Sequence, residues 1–505
     1  MSTKKLKTWT LKWLKTTFSI IVFFSATIAQ AQPLNLPLNQ TFYFETERKL
    51  MDENNTSVSS FKPVLLTRTV DKENDSTYSL PVFDLNYQEN RSFVARKLFY
   101  EHLIALDTGN IRLTIDPILN LELGDEQRDD PRDINLYKNT RGFNLNLSVG
   151  KQVAIGSSFR ENQANLPLYL SDRVRATQVA YGQGRIKTFD QGFDFSMSSA
   201  YVSYSPSENI NVQVGHGKHF LGSGHRSILL SDLSFNYPYL RFNTKWFKNK
   251  LHYQNVYALL QNMNRLPSSS LSENLFERKQ ATFHYLEYKA GKKLSIGLFE
   301  GIIYPGLDSS GNNPPSVNYW MPVIFLNSLI EAPNQKGNSM LGINLEYIPF
   351  KNVKLYQQLA VFDEDLQQFG FQSGFKYYLN HHFMIQGEVN NLDYNISENR
   401  FTHNNESLAH PFHEEVLEFL GIVQFQKNRW LSRLGAHQID TENGEIQFVD
   451  LRQAYIINPS YNFTISLGAQ YRQGDFSVNG LNNSNQSLYV YFGLSTNLQN
   501  LYFNY

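Results

Sequence analysis

Ser487-Leu488-Tyr489-Val490-Tyr491-Phe492-Gly493-Leu494-Ser495-Thr496 opens the last nineteen residues of the chain, which run on through Asn497-Leu498-Gln499-Asn500-Leu501-Tyr502-Phe503-Asn504 to Tyr505. Leu488, Val490, Phe492 and Leu494 alternate with Tyr489, Tyr491, Gly493 and Ser495. Period two gives a strand one apolar face and one amphipathic or small face. At the other end, Lys4, Lys5, Lys7, Lys12 and Lys15 precede the apolar run Phe18 to Ile28, and Ala29-Gln30-Ala31 follows. That order is a secretory signal peptide over residues 1–31, too short and wrongly flanked for a membrane anchor. An exported chain whose final strand alternates and stops on an aromatic residue is read as an all-β, transmembrane antiparallel barrel of the bacterial outer membrane.

Composition agrees. Phe and Tyr number 37 and 29, and aromatics make up 14% of the chain, which suits an apolar outer wall with aromatic girdles at both interfaces. Mean hydropathy is −0.40. After residue 31 there is no apolar run approaching the roughly 20 residues of a spanning helix. A barrel avoids that requirement because only alternate residues of each strand meet lipid. Basic and acidic residues balance at 46 each, so nothing draws the chain to nucleic acid. There is no Cys. Disulfides, thiolate metal sites, a Cys nucleophile and a lipoprotein anchor are thereby excluded.

Residues 32–100 are only weakly periodic and read as an N-terminal lead-in or periplasmic segment, with one strand near Thr41 to Glu45. The barrel is assigned to residues 101–505. Alternating segments recur from Ile111-Leu113-Ile115 onward. Phe143-Leu145-Leu147-Val149 is the cleanest, with Asn144, Asn146 and Ser148 on its other face. Later members include Ile210-Val212-Val214, Ile343-Leu345-Tyr347, Phe383 to Val389 and Phe463-Ile465-Leu467-Ala469. Short polar turns such as Leu379 to His382 alternate with long stretches: Gly124 to Lys138, Leu266 to Lys279, Asn391 to Glu414 and Gly474 to Gln486. Short periplasmic turns opposite long extracellular loops are the mark of outer-membrane barrels. The pairs suggest roughly 16–18 strands, enough for a lumen that holds water or a plug. A soluble propeller or sandwich also uses period two, but no repeat of about 40–50 residues is visible. Leu221 to Pro238 and Met321 to Asn334 resist strand assignment; the second reads as a short helix packed in or under the barrel.

The densest chemistry lies between Gly215 and Asp232. Four Gly, three His, Lys218 and Arg226 fall within it. It does not supply the phosphate-loop pattern G-x-x-x-x-G-K-[ST]. A metal site from His216, His219 and His225 is disfavoured, because His216 and His219 point to opposite faces of a strand and no carboxylate lies near them until Asp232. Ser227 beside His225 would need a base, an orienting group and an oxyanion site to make a nucleophile. In the remaining reading Gly222 and Gly224 turn the chain sharply. Lys218, His219, His225, Arg226 and Asp232 then form a polar interior surface able to contact sugar hydroxyls or carboxylates.

Weaker candidates are Glu414, Glu415 and Glu418 with His410 and His413, which lack the H-E-x-x-H order and read as a polar loop entering a strand. Glu300 and Glu388 read as lumen-facing charges of a polar interior. Trp246, Trp320 and Trp430 fit girdle positions as well as sugar stacking.

The stretch Gly217-Lys218-His219-Phe220-Leu221-Gly222-Ser223-Gly224-His225-Arg226-Ser227-Ile228-Leu229-Leu230-Ser231-Asp232, with Phe235-Asn236-Tyr237-Pro238-Tyr239-Leu240, resembles the signature of Wzi-type capsule-assembly barrels. It resembles still more closely the RemB group of gliding-motility proteins of the Bacteroidetes. Echoes of the resemblance include Arg96-Lys97-Leu98, Leu113 to Pro117, Asn139 to Gly142 and Arg160-Glu161-Asn162-Gln163-Ala164. The resemblance implies an outer-membrane barrel that holds polysaccharide at the cell surface or supports surface movement. Its implied partners are membrane lipid, surface polysaccharide and gliding or secretion machinery. No cofactor and no enzymatic activity are expected. A diffusion porin, a structural adhesion protein and an outer-membrane lipid hydrolase are the alternatives.

Overall fold

The computed structural model describes residues 33–51, 59–66, 85, 87–128, 134–266, 276–309, 311–331, 339–362, 368–393, 401–412, 414–442, 444–478, 481–484 and 486–503. The signal-peptide reading, His413 and Tyr505 lie outside them.

Eighteen antiparallel strands close on themselves. In chain order they are β1 Ile111–Arg128, β2 Leu136–Val149, β3 Val153–Asn165, β4 Gly192–Ser207, β5 Ile210–Gly217 and β6 Tyr237–Trp246. Next come β7 Leu251–Arg265, β8 Phe276–Ala290, β9 Leu294–Pro305, β10 Ser339–Phe350, β11 Val353–Phe362 and β12 Gln368–Asn380. The series ends with β13 Phe383–Asp393, β14 Val416–Lys427, β15 Trp430–Thr441, β16 Gly444–Asn458, β17 Phe463–Val478 and β18 Ser487–Thr496. Each strand pairs with its sequence neighbours, and β18 pairs with β1 from Ser487↔Arg128 to Ser495↔Asn120. Closure satisfies every strand's backbone within the wall, which lets a sheet cross hydrocarbon.

The alternation read in β18 is the one observed. Val490 and Phe492 are exposed outward, while Tyr489 is buried inward. The strand stops at Thr496, however, short of the terminal aromatic. Residues 497–503 turn into the lumen, where Tyr169 donates its hydroxyl to the Phe503 carbonyl (2.8 Å). Trp246, Phe247, Phe350 and Trp430 stand exposed beside the short turns, as an interfacial belt requires. Helix α2 (Phe93–Phe99), the second in the chain after α1 (Gln40–Leu50), sits at that rim. Asn458 donates to its Lys97 carbonyl (2.9 Å), and Phe93 and Val94 stay exposed.

A barrel this wide encloses more space than its own side chains can fill. Here chain segments fill it. Of the N-terminal segment, residues 33–51 and 59–66 lie inside the lumen. The strand expected near Thr41 is helix α1, Gln40–Leu50. Its Phe42, Tyr43 and Phe44 are all buried, against plug on one side and wall on the other. Residues 218–236, between β5 and β6, also fold inward, and Phe220-Leu221 pairs with Phe61-Lys62. The stretch 401–412, read as part of an extracellular loop, does the same: Ser231 donates its N–H to the Leu408 carbonyl (2.7 Å). Helix α3 (Leu168–Thr177) packs over the long-loop end, its Tyr169 edge-on to Phe448.

One loop goes the other way. Residues 317–331, with the short helix α4 (Leu326–Glu331), lie on the outer wall, so the described part of Met321 to Asn334 packs outside the barrel and not in or under it. Tyr253, Asn255, Tyr257 and Glu300 point outward from β7 and β9, and this strap covers them. Asn255 donates to the Pro322 carbonyl (3.0 Å), and the Phe325 N–H donates to Glu300 (2.8 Å). Glu300 therefore does not face the lumen. His284, its outward neighbour on β8, completes the buried pair at 3.0 Å.

Candidate functional site

The motif residues singled out in the sequence sit together at the centre of the lumen plug. Gly222 adopts φ +105°, and a Cβ there would collide with the Gln358 amide. Gly224 brings the chain against Gln372 and Glu388 of the wall, where a Cβ would lie 2.9 Å from both side chains. The two glycines turn the chain, and they also let its backbone touch the barrel.

At that contact the backbone N–H groups of His225 and Arg226 both donate to the Glu388 carboxylate, at 2.7 and 3.1 Å. Glu388 faces the lumen, as read. The Arg226 guanidinium turns to Glu418 on β14, donating from Nη2 at 3.0 Å and from Nε at 3.2 Å. Glu418 also meets His410 and His437, each at 2.9 Å, and accepts from Asn390 at 3.0 Å. Arg226 and Glu418 are almost wholly buried. Charges taken this far from water persist only when paired and hydrogen-bonded on every side. Glu418 was read as part of a polar loop entering a strand; it is the wall anchor of the plug.

The other motif residues are engaged in the same way. Lys218 donates to the carbonyls of Gly182 (2.7 Å) and Asp232 (3.1 Å), and burial pushes its ammonium pKa down. His219 lies 3.0 Å from the Tyr237 hydroxyl, and burial holds its imidazole well below the ordinary value. Gln40 of α1 donates to His225 Nδ1 at 2.6 Å. Burial, reinforced by the Arg226 charge, keeps His225 neutral. Asp232 accepts from Tyr502 (2.8 Å) and Asn500 (3.1 Å) of the inward-turned tail. Ser227 donates to Gln358 and accepts from the Leu230 N–H, at 3.2 Å each. Among the described residues no group of three or more His, Asp or Glu side chains is arranged to hold a metal ion; His410 and His437 each spend a ring nitrogen on Glu418 itself.

Helix α1 is tied in separately. Glu47 reaches Lys376 at 2.6 Å and Lys62 at 3.4 Å. Burial alone would raise the Glu47 carboxyl pKa, but Lys376, Lys354 and Lys62 hold it below the usual carboxylate range.

Beside the plug lies a cavity of about 260 Å³, walled by β1–β3, β14–β18 and the tail. Lys138, Arg160, Arg433 and Arg452 line it against only two carboxylates, Glu122 and Asp450. Glu122 is taken by Lys138 (2.7 Å), and Asp450 by Arg433. Sequence reasoning identified none of these as site residues; Arg160 entered only as an echo of the family resemblance.

No family model and no curated protein matches the chain. Among solved structures it is similar to Wzi of Escherichia coli, described as an outer-membrane protein involved in group 1 capsule assembly and a carbohydrate-binding β-barrel. The TM-score is 0.54 at 12% identity, over 92% of this chain and all of that one. OpdO of Pseudomonas aeruginosa follows with TM-score 0.45, 11% identity and 76% and 96% coverage. A BenF-like porin of Pseudomonas fluorescens Pf-5 gives 0.43, 13%, 77% and 99%. The protein has the outer-membrane barrel fold. At these identities the likeness is one of fold.

Proposed function

We propose that this protein is a plugged outer-membrane barrel that binds and anchors surface polysaccharide. One observation carries the reading: the lumen is crossed by chain segments sewn to the wall through the buried Arg226–Glu418 pair (3.0 Å). A diffusion pore needs an open water path, and a plug fixed by buried charge pairs closes one. The barrel then presents a rigid polar body to the cell surface, which is what retention of a polymer demands. Its fold likeness to the carbohydrate-binding barrel Wzi, over nearly the whole chain, supports this choice among barrel functions.

Sugar contact by Lys218, His219, His225, Arg226 and Asp232 is part of the reading only at the level of the plug they build, since each is held by protein partners, His219 through Nδ1 alone. The resemblance of residues 217–240 to the gliding-motility group adds a role in surface movement. A deletion strain, scored for polymer retention and for spreading on agar, tests both parts. Retention should fall without any change in polymer synthesis. Bilayer recordings of the purified protein should show closed barrels; steady conductance at porin levels would replace this reading with solute transport.

A further inference from the structure

Arg160 points into the lumen from the middle of β3 and is only 8% exposed. Among the described residues it has no hydrogen-bond or ion-pair partner, and its Nε is sealed from solvent. The wall explains why. Directly across from it stand Gly142 on β2 and Met197 on β4. The next inward positions are Thr140 and Asn144 on β2, Ser158 and Asn162 on β3, and Phe195 and Ser199 on β4. None carries a negative charge. A guanidinium cannot shed its proton to escape burial, so the charge stands uncompensated beside the 260 Å³ cavity it lines.

Two more groups on that cavity are unused. Gln424, on β14, is 4% exposed and its amide nitrogen has no partner. Gln470, on β17, lines the same space. Tyr491 and Phe448 add ring surface. The volume lies just below the range of small-ligand pockets, about 300–1,000 Å³, which is room for a sugar unit rather than a folded segment. An unpaired planar cation, free amide groups and aromatic surface around one space match a sugar bearing a carboxylate. The fork meets the carboxylate, the amides meet hydroxyls, and the rings meet the apolar face of the pyranose.

We propose that this cavity is a subsite for a carboxylate-bearing sugar unit, with the carboxylate on Arg160 and the hydroxyls on Gln424 and Gln470. The proposal deepens the polysaccharide reading and rests on it for its biological ligand.

The test is calorimetric titration of the full chain in detergent with glucuronate, glucose and inorganic phosphate. Arg160→Gln and Arg160→Lys are compared with the parent, and all are checked for folding by the mobility shift on boiling. Loss of a charge-assisted pair should weaken glucuronate binding about 10- to 100-fold in Arg160→Gln. Arg160→Lys should fall between, and glucose should bind the parent no better than glucuronate binds Arg160→Gln. Absent glucuronate binding, equal binding by folded Arg160→Gln, or Arg160-dependent phosphate binding as tight as glucuronate, would each overturn the subsite. Cells separate the two claims. If deletion abolishes polymer retention but Arg160→Gln leaves it at the parent level, the subsite falls and the polysaccharide reading stands. If deletion leaves retention intact while glucuronate still binds through Arg160, the subsite stands and that reading falls.

Discussion

The two sides of the lumen treat buried charge in opposite ways. Along β13 to β15, Glu418 gathers Arg226, His410, His437 and Asn390, and Glu388 takes two backbone N–H groups of the plug. Along β2 to β4, Arg160 stands among neutral neighbours and faces a cavity. The first side spends its polar atoms on holding the plug. The second leaves a cation available. Polar content in a lumen therefore does not mark function by itself; whether the atoms are already satisfied separates a structural rivet from a candidate site.

The largest effect that would break this contrast is at Glu418. Glu418→Gln should leave the Arg226 guanidinium buried without its counter-charge, at a cost of about 3–5 kcal/mol. The barrel wall does not depend on that pair, so the expected outcome is a folded barrel with a loosened plug. It should show new protease cleavage within residues 218–236 and channel openings in bilayers. A plug as protected as the parent's would mean that the rivet is not Glu418.

Helix α1 offers a second rivet and a pH test. Because the folded pKa of Glu47 is depressed, its contribution is present above the unfolded value and is lost as pH falls through the folded one. The helix should therefore stay docked well below the pH at which an ordinary carboxylate is protonated, and release only in stronger acid. Glu47→Gln should mimic that release at neutral pH, costing about 1.5–3 kcal/mol. Protease sensitivity of residues 40–50 across an acid series reads both; release of the parent already at mildly acidic pH would contradict the three-lysine hold.

How much of this was legible in the sequence follows from the same physics. Strand β18 could be read because its outward residues are apolar and its inward ones are tyrosine or glycine. Strand β16 left no such pattern and went unread. Its inward Ile446 and Phe448 pack on the plug while Gln447 and Gln453 face outward, so the contrast between faces cancels. The plug itself was the main blind spot. Phe42-Tyr43-Phe44 looks like a strand when one wet side is assumed, and here the run is buried on both flanks. Arg226 could be found from its motif, but its partner lies 192 residues along the chain. Glu300 was misplaced because nothing local announces an outer strap. Arg160 carried no signal at all beyond the family echo, since a missing counter-charge is a property of three strands together.

Gly222→Ala tests how finely the sewn side is fitted. At φ +105° any side chain is strained, and here the added methyl also meets Gln358. A cost of about 1–3 kcal/mol is expected, confined to the plug. It should appear as partial protease sensitivity of residues 218–236, weaker than in Glu418→Gln. An effect on barrel assembly, read as loss of the boiling-dependent mobility shift, would mean that the plug helps build the wall.

The smallest effect is predicted at Arg160. Replacing a member of a satisfied network strands its partner, whereas removing a cation that has no partner strands nothing and lifts its own desolvation cost. Arg160→Leu should therefore change stability by no more than about 1 kcal/mol, or raise it, even though the parent residue is buried, as the rivets are. The measurement is the denaturant midpoint of the mobility shift, taken alongside Glu418→Gln in the same detergent. Addition of glucuronate sharpens the comparison. The ligand should raise the parent's midpoint by mass action and leave the Arg160→Leu midpoint where it was. A loss of stability in Arg160→Leu comparable with that of Glu418→Gln would erase the distinction between the two sides, because it would mean that the wall had already given Arg160 a structural task.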